Sequence, residues 1–275
     1  MSTQFTKMPN IFDFTTTSSQ TAVDFLAEKT GLPKARIKDA MNKGACWWKQ
    51  KGKLLRLRRA SKDLPAGTRI QLYYDEQVLS RTPPAGQLML DKGRYSIWYK
   101  PHGMLAQGSQ WGDHCSLLRW VEVEYKRECF LIHRLDADAA GLMMIAHDSK
   151  AAALLSQLFQ SRDLKKYYLA QVTGELNATN LHINQPLDGK ESISIVNTLR
   201  VNDNHLSTLV EVLIETGRKH QIRRHLSGIG HPITGDRLYG SASKTPLQLL
   251  AYKLEFCCPI SKQPIQLELP KHLHL

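Results

Sequence analysis

The sequence predicts an α+β protein: a mixed, mostly antiparallel sheet in a large domain, preceded by a small basic domain. Three observations carry this. From about Tyr95 onward the chain is a series of short strand-like segments broken by turns; no helix separates successive strands regularly enough for a parallel, doubly wound sheet; and most of the excess positive charge lies in one early stretch. With 275 residues the chain is long enough for one large core and a smaller one.

Residues 1–17 are read as an N-terminal extension and 18–79 as the small domain. "TAVDFLAEKTGL" sets Ala22, Phe25, Leu26 and Leu32 at helical spacing. "PKARIKDAMNKG" opens on Pro33 and stops at Gly44, with Ile37, Ala40 and Met41 on one side and Lys34, Arg36 and Lys38 toward solvent. "ACWWK", "KLLRLRR" and "TRIQLYYD" then read as short strands, the last preceded by a "DLPAGT" turn. Over residues 18–76 this pattern resembles the alpha-L RNA-binding fold of a small-subunit ribosomal protein and of many RNA-modifying enzymes. Trp47 and Trp48 offer rings for stacking on bases, although an alternating strand buries at least one of them.

The charge supports the same partner. Residues 29–62 hold twelve Lys or Arg against the single acid Asp39, a net +11 of the chain's +12. A solvated face usually mixes signs, and this one hardly does, so a phosphate backbone is the expected partner. "SRTPPAGQLMLDKG", residues 80–93, is rich in Pro and Gly and reads as a linker to the large domain, residues 94–275.

In the large domain "RYSIWYKP", "CFLIHRLD", "GLMMIAHD", "KKYYLAQVTGEL", "ISIVNTLRV", "STLVEVLIET" and "LQLLAYKLEF" are expected strands. "SKAAALLSQLFQS" is an expected helix with Ser149 as its N-cap, and "RKHQIRRHLSGIG" a helix ended by glycine. Several function classes lose their usual support. The chain has no Gly-rich nucleotide loop and no H-E-x-x-H, and its five cysteines are irregularly spaced with no C-x-x-C, so free thiols are expected rather than a metal site or disulfide framework. No apolar stretch approaches the roughly 20 residues that span a bilayer, and "MSTQFTKMPNIFDF" lacks the look of an export signal; a cytoplasmic location is expected.

One segment conflicts with its surroundings. In "ECFLIHRLDADAAGLMMIAHD" a charged pair, Arg134 and Asp136, interrupts an apolar run. If the strand continues, Ile132, Arg134 and Asp136 share one face and Leu131, His133 and Leu135 the other. By itself the segment admits two readings, a strand-end ion pair with a turn cap or a charged pair held at a cleft.

Its company separates them. "WYKPHGM" precedes it, "KKYYLAQVTGEL" carries Tyr168, and "ETGRKHQIRRHLSGIGHPITGDRLYG" follows. Together these stretches, from about residue 95 to 270, resemble the RluA-type RNA pseudouridine synthases, in which an N-terminal alpha-L domain is also common. The resemblance implies the pseudouridine synthase fold and an isomerase that needs neither cofactor nor metal. Asp136 would act at the sugar, as nucleophile or as base; Arg223 would pair with its charge; Tyr168 would lie against the uracil ring. On residue type alone, a Tyr buried in the core is the competing reading of Tyr168. Arg134 would fill the space left by the flipped base or contact phosphate. His133, Lys166, Arg218, Lys219 and Arg224 join Lys34, Arg36 and Lys38 as expected RNA contacts, while His220 or His225 packs inward. The implied partner is structured RNA, ribosomal or transfer, bound by a monomer.

Two departures stand out. The family usually has D-x-x-T-S-G, whereas this chain has Ala139-Ala140 before Gly141, so two hydroxyls able to bond the loop are missing. A His usual near the last strand is Leu250 here. A non-catalytic RNA-binding protein would leave Asp136 replaceable, and a glycosidase would need a second placed carboxylate, for which only Asp138 is on offer.

Overall fold

The computed structural model describes residues 9–203, 205–241 and 244–275. Residues 1–8 of the expected extension lie outside the described residues. The chain divides into two units, residues 1–83 with 107–120, and residues 84–106 with 121–275.

The first unit has strands β1 (Asn10–Thr15), β2 (Gln20–Thr21), β3 (Cys46–Gln50), β4 (Lys53–Arg56), β5 (Asp63–Leu64) and β6 (Arg69–Tyr74). Its helices are α1 (Ala22–Thr30), α2 (Lys34–Asn42) and α3 (Glu76–Leu79). A four-stranded sheet runs β1-β6-β3-β4, and β2 pairs with β5. The hydroxyl of Thr21 accepts from the Asp24 N–H to start α1, and Gly31 ends it in the left-handed region at φ +69°. The apolar stripes of both helices, Phe25 and Leu26 with Ile37 and Met41, are buried with Ile70 and Leu72 of β6. Trp48 packs on this core, while Trp47 lies 4.2 Å beneath the Arg56 guanidinium and donates to the Gln110 carbonyl at 3.0 Å. Residues 107–120 belong here because Asp113 is buried against Arg56, at 3.2 Å, and Arg58. Two cations of the basic stretch thus share one carboxylate within the unit.

The second unit contains β7 (Gln87–Asp91), β8 (Tyr95–Lys100), β9 (Phe130–Leu131), β10 (Ala140–Ala146), β11 (Lys165–Thr173), β12 (Leu181–Asn184), β13 (Ile193–Val201), β14 (Ser207–Ile214), β15 (Leu249–Cys257) and β16 (Pro264–Glu268). Helices α5 (Ser149–Gln160) and α6 (Gln221–Gly228) complete it, and α4 (Leu117–Tyr125) runs across the boundary between the units. The ten strands form one sheet, β12-β13-β14-β11-β15-β10-β8-β7, with β16 on β15 and β9 on β10. Every pairing is antiparallel except β10 with β15. The mixed, mostly antiparallel α+β class is therefore as expected.

Strand alternation builds a core on each face of this sheet. Leu169 of β11 joins Leu155 and Leu158 of α5, and its neighbours Ala170 and Val172 join Ile222 and Leu226 of α6. Each such leucine contributes roughly 1.5–3 kcal/mol by leaving water. β10 is buried along its whole length, with Ala140, Leu142, Met144 and Ala146 in the α5 core, which is why "AGLMMIA" is an unbroken apolar run.

Residues 10–15 of the expected extension pair with β6 as β1, residues 107–120 of the expected large domain group with the first unit, and local expectations differ in three further places. Residues 87–91 of the expected linker pair with β8 as β7. Asp148, not Ser149, caps α5, because its carboxylate accepts from the Ala151 N–H at 2.8 Å. The strand expected through "HRLD" ends at Leu131. One edge of β10 changes partner there, from β9 at Ile145 and Ala146 to β15 at Ala140 and Gly141, so residues 132–139 leave the sheet. Gly141 permits the exchange: at φ +128° its Cβ would lie 2.3 Å from the Ala251 carbonyl oxygen. Among the described residues no helix is long and apolar enough to cross a membrane.

Candidate active site

Where residues 132–139 leave the sheet, a cleft opens, with about 500 Å³ of empty space. Arg134, Asp136, Ala139, Tyr168, Arg218, His220 and Arg223 line it. Tyr168 comes from the β11 strand, where it pairs with Ala251. His220 and Arg223 come from the start of α6, whose cap, His220, is held in the left-handed region at φ +54°. The three residues expected at the reaction centre, Asp136, Tyr168 and Arg223, are thus brought to one cavity from three segments.

Asp136 is the anion of the cleft, its side chain 28% exposed. Arg223, 4% exposed, donates to its Oδ2 from Nη1 at 3.2 Å. The sequence reading missed Arg223's stronger partner. Its Nε and Nη2 bind the two carboxylate oxygens of Asp236 at 2.7 and 2.8 Å, and the Asp236 side chain is fully buried. Asp236 Oδ1 also accepts from the N–H groups of Leu238 and Tyr239, at 2.9 and 3.1 Å. Burial pushes the Asp236 carboxyl up, but these bonds outweigh it and hold the group below the usual carboxylate range. Arg223 is held above its ordinary value, by Asp236 first.

His220 sets its Nε2 3.6 Å from Asp136 Oδ2 and its Nδ1 2.9 Å from the Tyr239 hydroxyl. Burial lowers its pKa against the opposing Asp136 charge. Its neighbour on the helix, His225, is fully buried between the Ser194 hydroxyl and the Gln185 carbonyl, so both histidines pack inward. Tyr168 has its hydroxyl pushed up by burial and then by the Asp136 charge, so it remains a neutral phenol at physiological pH. Asp136 pairs with Arg223 and His220; no Arg134–Asp136 ion pair forms among the described residues, and Arg134 is exposed.

The loop that carries Asp136 has a support that the sequence reading left unassigned. Lys100 is fully buried at the end of β8, and its three Nζ–H donors are shared among four carbonyls: Pro101 at 3.1 Å, Met104 at 2.8 Å, Ala137 at 3.3 Å and Ala139 at 2.6 Å. His102 Nδ1 bonds the Asp138 carbonyl at 2.7 Å. The loop therefore gets its rigidity from backbone carbonyls gathered on one ammonium, without the hydroxyls absent at Ala139 and Ala140. Burial pushes the Lys100 ammonium down to about 8, with the charges of Asp136 and Asp138 opposing.

Two expected RNA contacts are corrected. His133 stacks on Phe159 at 4.0 Å and its Nε2 accepts from the Met144 N–H at 2.9 Å, filling the gap in the β10 ladder between its two partner strands. Burial pushes its pKa down to about 3, so it serves as a neutral acceptor. Lys166 is buried on β11, two residues before Tyr168 and on the same face, where burial lowers its pKa. Of the others, Arg218 and Lys219 are exposed in the turn before α6, and Arg224 is paired with Asp188 at 3.0 Å. On the first unit, Lys34 is paired with Asp24 at 2.6 Å and Arg36 with Glu76, all at the surface, and Lys38 is exposed. Among the described residues no cluster of His, Cys, Asp or Glu could hold a metal ion.

The model of the RNA pseudouridylate synthase family matches residues 94–228. The dual-specificity RNA pseudouridine synthase RluA of Vibrio parahaemolyticus is 31% identical over 203 residues, 66% of this chain and 81% of that protein. The chain belongs to the RluA-type RNA pseudouridine synthases. A second relative, ribosomal large subunit pseudouridine synthase D of Xanthomonas campestris, is 30% identical over 240 residues, 77% of this synthase and 67% of the relative. The fold agrees with a solved human structure, RNA Pseudouridylate Synthase Domain Containing 1, at a TM-score of 0.59 and 19% identity, covering 70% of the synthase and 86% of that chain.

Proposed function

We propose that this synthase isomerises one uridine of a structured ribosomal or transfer RNA, with Asp136 acting at the sugar. The observation that carries the assignment is the Asp136 carboxylate, 3.2 Å from Arg223 in the cleft that Tyr168 also lines. The reaction breaks the bond from the sugar carbon to N1 of uracil, turns the base, and rejoins the sugar to C5; the C5 proton leaves and N1 ends protonated. No electrons are transferred and no external group is added. The Asp136 carboxylate serves as nucleophile at the sugar carbon or as base on its neighbour, with the Arg223 guanidinium fixed beside it as the opposing charge. Tyr168, a neutral phenol, offers its ring as a stacking surface and its hydroxyl as a donor to the detached uracil.

Substrate capture is assigned to exposed cations. Arg134 and Arg218 line the cleft, with Lys219 next to Arg218 in the chain, and Lys34, Arg36 and Lys38 are assigned to an alpha-L-like RNA-binding domain over residues 18–79, within the first unit. The pairs of Lys34 and Arg36 lie in water, where ion pairs are weak, so exchanging them for phosphate costs little. The name of the Xanthomonas relative favours ribosomal RNA. We take the enzyme to act as a monomer in the cytoplasm.

The test is a strain lacking the gene, with pseudouridine mapped in ribosomal and transfer RNA by base-specific chemical marking. One site should disappear, return with the wild-type gene, and stay absent with Asp136→Asn. Its return with Asp136→Asn would overturn the assignment.

A further inference from the structure

We propose that Leu238 is an apolar wedge that enters the RNA base stack beside the target uridine and holds open the gap it leaves; this rests on the assignment of the Asp136 site. Leu238 is 66% exposed, although the loop around it is firmly held. Asp236 Oδ1 accepts from its N–H at 2.9 Å and from that of Tyr239 at 3.1 Å, and the Asp236 carbonyl accepts from Gly240 at 3.0 Å. The Ser227 hydroxyl binds the Tyr239 carbonyl at 2.7 Å. A backbone fixed this closely leaves a large apolar side chain in water for no benefit to the fold.

Its position supplies the reason. On one side, Arg237 reaches Asp138, two residues after Asp136, at 3.4 Å. On the other, Tyr239 bonds His220 at 2.9 Å and its ring lies 5.3 Å from the Arg223 guanidinium. Leu238 is therefore flanked by Arg237, which bonds the loop carrying Asp136, and by Tyr239, which bonds His220 of the cleft lining. Arg237, the next residue in the chain and 67% exposed, shares a pocket with Lys244 and adds positive charge that suits a phosphate backbone passing over the loop. Chemistry at the sugar inside the cleft requires the uridine out of its stack, and leucine is among the side chains that separate base steps elsewhere. A rigid loop matters here, because a flexible one would yield rather than hold the bases apart.

The test uses the full-length enzyme and a synthetic RNA oligonucleotide carrying the uridine identified by mapping. A second oligonucleotide has the two flanking nucleotides made abasic, which removes the stack. In single-turnover conversion, Leu238→Ala should be slowed about tenfold on the intact oligonucleotide and stay within about twofold of wild type on the abasic one. Leu238→Met should restore most of the rate. Equal slowing on both RNAs, or no slowing on either, would overturn the proposal. Asp136→Asn is run alongside: its activity would overturn the site and the wedge together, whereas an inactive Asp136→Asn with an unimpaired Leu238→Ala overturns the wedge alone.

Discussion

Lys100→Met separates positioning from folding in this enzyme. Methionine fills nearly the same space, so what is lost is the ammonium and its four carbonyl bonds. Two effects on stability oppose each other. Burial lowers the Lys100 pKa to about 8, against an ordinary value near 10.4, so holding the charge costs roughly 3 kcal/mol that methionine removes. The carbonyls of Met104 and Ala139, bound at 2.8 and 2.6 Å, lose their ammonium, at about 1–3 kcal/mol each. The net change is within about 3 kcal/mol, so the variant should fold. The catalytic effect has no such compensation. Ala137 and Ala139 flank the turn that sets Asp136, and a misplacement of about 1 Å costs on the order of 100-fold. Single-turnover assays on the mapped RNA should show at least that loss, with calorimetry showing a folded protein and filter binding an almost unchanged Kd. The wild type should also lose rate as pH rises above about 8, where the ammonium loses its proton. Near-normal turnover by the variant would refute the reasoning, and so would a loss explained by unfolding below the assay temperature.

Two further outcomes follow from the ion pairs. The folded pKa of Asp236 lies below its unfolded value, so its contribution to stability is present above the ordinary aspartate range near 4 and is lost as pH falls through the folded value. Urea midpoints measured from pH 7 to 3 should fall more steeply for the wild type than for Asp236→Asn, which should be destabilised by roughly 3 kcal/mol at neutral pH; parallel curves would count against the pair. Replacing Lys34, Arg36 and Lys38 together by glutamine should weaken RNA binding and reduce the slope of log affinity against log salt by up to about 3 if each meets a phosphate. An unchanged slope would remove the first unit from the RNA interface.

The parts of the site legible in the sequence are those whose chemistry admits few substitutes. Asp136, Tyr168 and Arg223 stand in strings specific enough to be found together, and the structure brings them to one cleft. The strands were readable because alternation and apolar runs survive in "STLVEVLIET" and "GLMMIA". Residues whose role depends on burial were not readable. Lys166 and His133 look like RNA contacts in a basic motif, and only the packing of β11 and Phe159 turns them inward. Lys100 and Asp236 stand within the same motifs, but nothing linear says that one ammonium gathers carbonyls 37 and 39 residues away. The segment 107–120 rejoins the first unit through Asp113, a contact fixed by residues more than fifty positions earlier.

Arg223 illustrates why the missed residues matter. An arginine held only by Asp136 would follow that carboxylate as its charge changed, and would offer a mobile field. Here the guanidinium is fixed first by a fully buried, bidentate Asp236, which is in turn fixed by two backbone N–H groups. Asp136 receives a single bond from what remains, at 3.2 Å, and keeps part of its surface open to the cleft. In the proposed mechanism, a carboxylate that accepts one hydrogen bond from Arg223 retains lone pairs for the sugar, while the cation opposite it is already in place and need not reorganise. The same Asp236 fixes the N–H groups of Leu238 and Tyr239, and Tyr239 bonds His220, so one buried aspartate orders both the cation inside the cleft and the loop that follows Asp236.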